Sequence, residues 1–385
     1  MAITPRIAQA AKTVDVAESA PVASVAGEKW QLSERQTALV LLVPFFVVYA
    51  LFLVYPFFRG IWISLHDWNL LAVAFNPGAK QFIGLENYTR FMWGEGIVWA
   101  PLARPLIQLL GIAAVVLAYV FHRRGSLDRV TALALAILGI ILFLLPGFHP
   151  GEEGRWYDRR FWPIVGNTVL FVALTVPGVT ITALVLAAMM NRETRAMTVF
   201  RTLFFLSQVL SVTVVTLIWQ IMFSPRQGLI ANITTTMGAV PINWLTDERF
   251  AMAAIVIATI WWSLGIAMIL FLAGLQDISR EIYEAAAIDD ATGVSAFWHL
   301  TLPLLRRTIT LVVVLQIILH FQVFGQAHLM TQGGPNDSTQ VLVRYVYQTA
   351  FRDSELGLAS AMAVFLFVIM AAFSAIQFAV GREKE

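Results

Sequence analysis

Long apolar stretches divide this 385-residue chain, and they constrain its fold more than any other feature. A membrane-spanning helix needs about 20 mainly apolar residues. Eight segments meet that requirement, at roughly 38–60, 102–121, 128–147, 163–190, 199–223, 251–275, 308–330 and 358–380. Only 13% of the residues are charged and 58% are hydrophobic, whereas about a quarter are charged in an ordinary soluble domain. The sequence therefore predicts an all-α polytopic membrane protein with about eight transmembrane helices.

The segments between and around these spans define the predicted domain organisation. Residues 1–37 contain no apolar core of signal-peptide length, so they are predicted to be a flexible cytoplasmic tail. Residues 38–101 hold the first transmembrane helix and an outer loop. Residues 102–160 hold an inserted hairpin of two transmembrane helices and a second outer loop, and 161–381 hold the remaining spans.

Eight spans place both termini on the same side of the membrane. Slightly more than half of the 26 Lys and Arg residues lie inside if that side is the cytoplasm. The bias agrees in sign with the positive-inside rule but is small, because Arg155, Arg159 and Arg160 share one outer loop. We therefore expect both termini in the cytoplasm.

A polar stretch, residues 284–303, separates two of the most hydrophobic segments. Ser279 can cap a helix whose first turn carries Glu281 and Glu284, where carboxylates complement the helix dipole. Gly293 is a natural stop for that helix. A second short turn then leads to Pro303, which favours a change of chain direction. The pattern predicts two short helices joined at a glycine.

This stretch resembles, nearly position by position, the cytoplasmic EAA loop of ABC importer permeases. Glu284, Ala285 and Ala286 match the name-giving triplet, and Leu302 and Pro303 match the Leu-Pro that follows in register. Asp290 replaces the glycine usual in the family, which would leave the bend to Gly293. The resemblance implies that the loop 276–307 docks in a cleft of an ATPase subunit. The residues it assigns to ATPase coupling are Glu284, Ala285, Ala286, Asp289, Gly293, Leu300, Leu302 and Pro303.

Further matches narrow the resemblance to carbohydrate importers, and to their larger, maltose-permease-like subunit. They are Phe82–Tyr88, Phe161-Trp162 with Gly166–Thr168, Met330–Pro335, and Tyr347–Phe351. The implied fold is that of a type I ABC importer permease, with 161–381 as its core and the hairpin as an insertion. The implied partners are a second homologous permease, a dimer of ATP-binding subunits, an extracytoplasmic solute-binding protein and a sugar. ATP-Mg would be bound by the ATPase, and no cofactor by this chain. The implied location is the cytoplasmic (inner) membrane of a bacterial or archaeal cell.

A sugar pathway needs hydrogen-bonding and flat apolar groups inside the membrane. Polar residues within spans are expected to face the bundle interior or a water-filled path. The candidates are Gln208, Ser211, Trp262, Ser263, Gln316, His320, Gln322 and Gln326. Hydrogen bonding between helices is an equally good explanation for each residue alone. The sixth and seventh spans hold no Lys or Arg, which favours an uncharged substrate.

Gly333, Gly334 and Pro335 form an outer turn that is available for contact with a binding protein, although a flexible turn alone explains the pattern equally well.

Several other functions are disfavoured by what the sequence lacks. It has no Gly-x-x-x-x-Gly-Lys-Ser/Thr motif, so ATP hydrolysis is expected on a separate subunit and the chain is not predicted to be an enzyme. It has no cysteine and no His-Glu-x-x-His, so no metal site is predicted, and a net charge of +2 gives no basis for nucleic-acid binding. An ion-coupled secondary transporter would normally carry intramembrane carboxylates, which the spans lack. A permease for a glycerol phosphate or a peptide remains an alternative.

Overall fold

The computed structural model describes residues 33–127, 129–155, 158–191 and 194–382. The predicted cytoplasmic tail lies outside the described residues as far as residue 32. The chain divides into two compact units, Met1–Pro56 and Phe57–Glu385. The described part of the first unit is helix α1, Glu34–Tyr49, followed by a π-helical turn, Ala50–Val54. From Leu39 onward its large apolar side chains are exposed, as expected for a helix that faces lipid.

Helices make up most of the remaining described chain. In order they are α2 Tyr55–Ser64, α3 Leu70–Phe75, α4 Glu86–Met92, α5 Pro105–Arg123, α6 Arg129–Leu144, α7 Phe161–Met190, α8 Arg195–Val209, α9 Val212–Met222, α10 Leu229–Thr236, α11 Glu248–Gln276, α12 Arg280–Ile288, α13 Gly293–Ala296, α14 Leu302–Leu304, α15 Arg306–Phe321, α16 Leu342–Tyr347 and α17 Leu356–Arg382. Further π-helical turns lie at Phe297–Thr301, Ala327–Thr331 and Gln348–Arg352, and 3-10 turns at Pro77–Ala79 and Leu145–Gly147.

Each apolar segment singled out in the sequence is mainly helical in its described residues. Within the described residues, five helices are long and apolar enough to cross a membrane, and the number rises to seven if each of two bent pairs is one span. Thr131–Gly147 is a further, shorter apolar helix. The fold is thus that of a helical polytopic membrane protein. The fifth and seventh segments differ from straight spans, because α8 and α9 meet at 104° and Gly293–Leu304 meets α15 at 68°.

The core of the second unit forms where α11 packs against α7 and α8, and where α15 packs against α7 and α17. Its helices approach closely because alanines such as Ala183, Ala254 and Ala267 are fully buried at the contacts. Small residues at helix interfaces let membrane helices approach closely and gain van der Waals contact, because in lipid no hydrophobic driving force brings helices together.

The hairpin α5–α6 is a tightly packed antiparallel pair. Gly111 and Gly139 face each other so closely that a Cβ on either would lie 2.6 Å from the carbonyl oxygen of the other. Near the open end of the hairpin, the fully buried Gln108 donates from Nε2 to the carbonyl of Phe143 (3.0 Å). Its Oε1 accepts from the N–H of Arg104 (3.2 Å).

Two small antiparallel sheets lie in the loops that were predicted to be on the outer side, and the sequence had not indicated them. Strands β1, His66–Asp67, and β2, Gln81–Phe82, form one of them. Strands β3, Glu95–Trp99, and β4, Phe148–Arg155, form the other. The second sheet joins the segment before the hairpin to the segment after it.

Candidate coupling loop and substrate pathway

Helix α12 begins where the sequence indicated. Ser279 occupies the N-cap position with an extended backbone (φ −64°, ψ 145°), and Glu281 lies in the first turn. The Ser279 side chain makes no capping hydrogen bond to the described residues, so the predicted side-chain cap is absent there. Glu284 and Ala285 are exposed on this helix, and Ala286 is half-buried.

The end of α12 differs from the prediction that placed its stop at Gly293. The N–H of Ala291 donates to the carbonyl of Ala286 (2.9 Å), and the N–H of Asp290 donates to that of Ala287 (3.3 Å). This is the Schellman arrangement, which needs a left-handed residue just after the helix. Asp290 supplies it with φ +57°. The prediction was wrong because aspartate, like asparagine, tolerates this conformation better than most residues.

Gly293 provides a second left-handed position, also at φ +57°, where α13 begins. From there the chain is helical to Leu304 and then bends by 68° into α15. Leu300 and Leu302 are half-buried along this segment, and Pro303 is exposed. The bend lies at Leu305, two residues after the proline that the sequence associated with it.

Side chains that the sequence analysis missed hold this loop to the core, together with the predicted Leu302. Tyr283 Oη and Thr301 Oγ1 are hydrogen-bonded (3.0 Å), which links α12 to the second half of the loop. Leu305 is buried in the cluster formed by α7, α11 and α15, and Phe297 and Leu302 pack against that cluster. We call residues 279–305 the coupling loop, after the role predicted for it from the sequence.

Three other side chains of the coupling loop are large, apolar and exposed. Ile288 is 86% exposed, Val294 74% and Trp298 60%. In the sequence, Ile288 precedes Asp289, Val294 precedes Ser295 and Trp298 precedes His299, and a large apolar residue beside a polar one within this polar stretch was the available signal. These side chains and the exposed Glu284 are accessible to a protein partner.

The predicted pathway residues of α8, α9 and α11 lie around the break between the two shorter helices. Ser211 is the N-cap of α9, and its Oγ accepts from the N–H of Val214 (3.4 Å). The indole of Trp262 donates to the carbonyl of Leu210 (3.2 Å), a group freed by the break. Gln208, two residues before Leu210, and Ser263, next to Trp262, are half-buried. Trp262 therefore has a structural partner, which the sequence could not show.

The four polar residues of the seventh segment are not equivalent. Gln316, His320 and Gln326 are buried, whereas Gln322 is exposed and its amide lies 3.7 Å from Met370 Sδ. Gln316 Oε1 and His320 Nε2 have no hydrogen-bond partner among the described residues. Buried polar atoms of this kind are uncommon and call for an explanation such as water or a ligand.

The outer Gly-Gly-Pro turn is less exposed than its sequence suggested. Gly333 is buried, and a Cβ there would lie 2.3 Å from Gln340 Oε1. Gly334 and Pro335 are half-buried. The following residue, Asn336, is exposed and its amide donates to Glu248 at the start of α11. The accessible part of this turn therefore begins at Gly334.

A polar network joins this outer turn to the start of α7. Asp158 accepts hydrogen bonds from Arg160 (3.0 Å) and from the hydroxyl of Tyr345. Burial acts to raise the pKa of Asp158, but these hydrogen bonds outweigh it and leave that pKa below its ordinary value. In α7, Asn167 Nδ2 donates to the carbonyl of Asp337 (2.9 Å).

Comparison with known proteins agrees with this architecture. The family of binding-protein-dependent transport system inner membrane components matches residues 180–384, more than half of the chain. The lactose transport system permease protein LacF of Rhizobium radiobacter is 36% identical over 60% of this chain and 79% of its own. The sn-glycerol-3-phosphate transport system permease protein UgpA of Brucella suis is 37% identical over 57% of this chain and 75% of its own.

Among solved structures, a bacterial alginate ABC transporter in complex with an alginate-bound periplasmic protein contains a chain of the same fold. It superposes with a TM-score of 0.51 at 23% identity, over 58% of this chain and 77% of its own. The family match covers α8 to α17. This range includes the coupling loop, the bent pair of helices α8 and α9, and the turn at Gly333–Pro335. This chain therefore belongs to the inner membrane components of binding-protein-dependent transport systems, and it is a multi-pass permease subunit of that family.

Proposed function

We propose that this chain is the permease subunit of an ATP-driven sugar importer. In this proposal it forms half of the translocation pathway, beside a second homologous permease. A dimer of separate subunits binds ATP-Mg and docks on the coupling loop, and an extracytoplasmic binding protein delivers the sugar. The observation that carries the proposal is the coupling loop itself.

The loop has the mechanical properties that coupling requires. Its exposed surface, Glu284 with Ile288, Val294 and Trp298, offers a charge and an apolar patch to a partner. Its inner side is fixed to the spanning helices through Leu305. Force on the exposed surface of the coupling loop therefore moves the packed helices, which rotate as rigid bodies between discrete arrangements.

The break between α8 and α9 supports a second permease. Backbone polar groups inside a bilayer are tolerated outside helices only where protein covers them or water reaches them. The indole of Trp262 satisfies the carbonyl of Leu210, yet Ser211 at the break is exposed in this chain. A second subunit, with a water-filled path between the two, would supply the missing cover.

A neutral sugar suits the polar groups available. Gln316, His320 and Gln208 offer donors and acceptors without a permanent charge, and the described stretch of α15 from Thr308 onward has no Lys or Arg. The relative named for lactose transport agrees with this choice. The relative named for sn-glycerol-3-phosphate transport supports the alternative of a phosphorylated substrate.

The coupling assignment is tested with a matched pair of valines. Val294 in the coupling loop and Val240 in the loop before α11 are 74% and 86% exposed, respectively. In proteoliposomes containing the whole transporter, Val294→Asp should reduce substrate-stimulated ATP hydrolysis and co-purification of the ATPase, as should Glu284→Ala. Val240→Asp should leave both unchanged. Equal behaviour of the two valine variants would refute docking on this surface.

The substrate class is tested separately with two probes in the same proteoliposomes, lactose and sn-glycerol-3-phosphate. We expect uptake of the neutral sugar and its loss in Gln316→Ala, with ATPase co-purification retained. Uptake of the phosphorylated probe alone would replace the sugar with the alternative substrate while leaving the coupling mechanism intact.

A further inference from the structure

A groove lies between the hairpin α5–α6 and the first turns of α7, away from the pathway residues. Its volume is about 520 Å³, within the range of sites that hold small organic molecules. Ile107 of α5, Ile141 and Leu145 of the α6 side, and Val165 and Val169 of α7 line its depth. The groove is therefore apolar where it lies among membrane-spanning segments.

Two tryptophans fix the walls of the groove. The indole of Trp93 donates to the carbonyl of Leu145 (3.2 Å), and that of Trp162 donates to the carbonyl of Met92 (2.7 Å). Because both polar N–H groups are satisfied by backbone, only the apolar faces of the rings remain for a ligand. The groove is thus preformed, which reduces the entropy lost on binding.

The mouth of the groove is cationic. Arg104 lines the groove and also, with Arg159, a smaller depression that adjoins it at Trp162. Both arginine side chains are exposed, and neither forms a salt bridge with another described residue. Guanidinium groups bind phosphate oxygens with well-matched geometry.

We propose that this groove binds an anionic membrane phospholipid, with one acyl chain between the hairpin and α7 and the headgroup phosphate at Arg104 and Arg159. An apolar channel beneath two cations complements a charged headgroup on a hydrocarbon chain. The lipid enters sideways, because α5 presents exposed leucines such as Leu106 and Leu110 to the bilayer next to the groove. The hairpin then holds lipid against the start of α7.

Gly166 makes the proposal testable without disturbing the packing. It lines the groove, and a Cβ added there meets no atom within 4 Å. Gly166→Leu therefore projects into the groove, and it replaces a poor helix former with a good one. Gly60→Leu is the matched control, since Gly60 is helical, has equally open space, and lies outside the groove.

The experiment uses the intact transporter in nanodiscs of phosphatidylcholine in which about one lipid in ten is phosphatidylglycerol, followed by native mass spectrometry of the retained lipid. We expect preferential retention of phosphatidylglycerol by the parent and by Gly60→Leu, and loss of retained lipid in Gly166→Leu. Replacing Arg104 and Arg159 with Gln should lower the preference for phosphatidylglycerol by about fivefold per arginine.

Two outcomes would overturn the proposal. One is equal lipid retention by the parent, the glycine variant and the double arginine variant, which all remain folded by thermal unfolding. The other is displacement of the lipid by millimolar inorganic phosphate alone, which would make the arginines a site for a soluble anion. Folding failure of Gly166→Leu leaves the arginine variants to decide.

Discussion

The left-handed conformation of Asp290 leads to a quantitative prediction for the end of α12. A residue other than glycine in this region costs roughly 1–2 kcal/mol, and less for aspartate than for most. A carboxylate at the negative end of a helix dipole adds about 0.3–1 kcal/mol. Asp290→Gly removes both costs but increases the freedom of the unfolded segment by ~0.5–1 kcal/mol. We expect a net stabilisation of the helix end of about 1 kcal/mol.

Hydrogen exchange at the amide of Ala291 reports this change directly, since that N–H bonds to the carbonyl of Ala286 across the helix end. A stabilisation of 1 kcal/mol slows exchange from the locally opened state about fivefold. Asp290→Asn should slow it less, because asparagine removes the charge and keeps the side chain. Asp290→Ala should accelerate it, since alanine is strained at φ +57°.

Asp289→Gly is the matched control for this series. Asp289 lies in the right-handed region (φ −91°, ψ 22°), where glycine relieves no strain. In Asp289→Gly, hydrogen exchange at the amide of Ala291 should be unchanged or faster than in the parent. Exchange in Asp290→Ala as slow as in the parent would refute the left-handed assignment, and with it the argument that aspartate replaces glycine here at a cost.

Three other perturbations follow from the contacts described. Gly111→Leu should separate the hairpin helices by its clash with Gly139 and lower thermal stability by about 1–3 kcal/mol. Thr168→Val should cost about 1–3 kcal/mol in the same assay, because it leaves the buried N–H of Leu342 without its acceptor at 2.9 Å. The pKa of Asp158 is lower in the folded state than its ordinary value of 3.8. Its stabilisation should therefore be complete above pH ~5 and disappear as the pH falls below about 4, seen as faster proteolysis of the outer loop.

Each of these has a control with an opposite expectation. Gly60→Leu, in open space, should leave thermal stability unchanged. Thr202→Val removes an exposed hydroxyl bonded only within its own helix and should cost less than about 0.5 kcal/mol. In Asp158→Asn the loop should lose its acid sensitivity between pH 5 and 3. An acid response that persists in this variant would assign the titration to another group.

Hydropathy predicted most of the fold because the bilayer sets both helix length and side-chain polarity. It could not predict the 104° break after Val209, since apolar residues continue on both sides of it. The freed carbonyl at Leu210 is satisfied by Trp262, a residue distant in sequence. The two small sheets were missed for a similar reason, because their strands, such as Gln81–Phe82, are short and pair across long loops.

The candidate sites were predictable to different degrees. The extent of the coupling loop followed from its polarity and from its resemblance to a known motif. Its helix end did not, because propensity favours Gly293 over Asp290 and only the hydrogen bonds of the helix end distinguish them. For the pathway, i,i+4 spacing correctly placed Gln316 and His320 together in the interior. Gln322 lies beyond the end of α15, where that helical spacing no longer applies.

The bend at Leu305 determines what kind of movement the coupling loop can transmit. The axes of Gly293–Leu304 and Arg306–Phe321 are 68° apart, much nearer to perpendicular than to parallel. A displacement along the first axis therefore has a component along the second of cos 68°, somewhat more than a third, and a much larger component across it. Leu305 lies buried at the corner between the two axes. If the ATPase docks as proposed, force applied along the loop would reach α15 mainly as tilt, with a smaller component of sliding along the axis of α15.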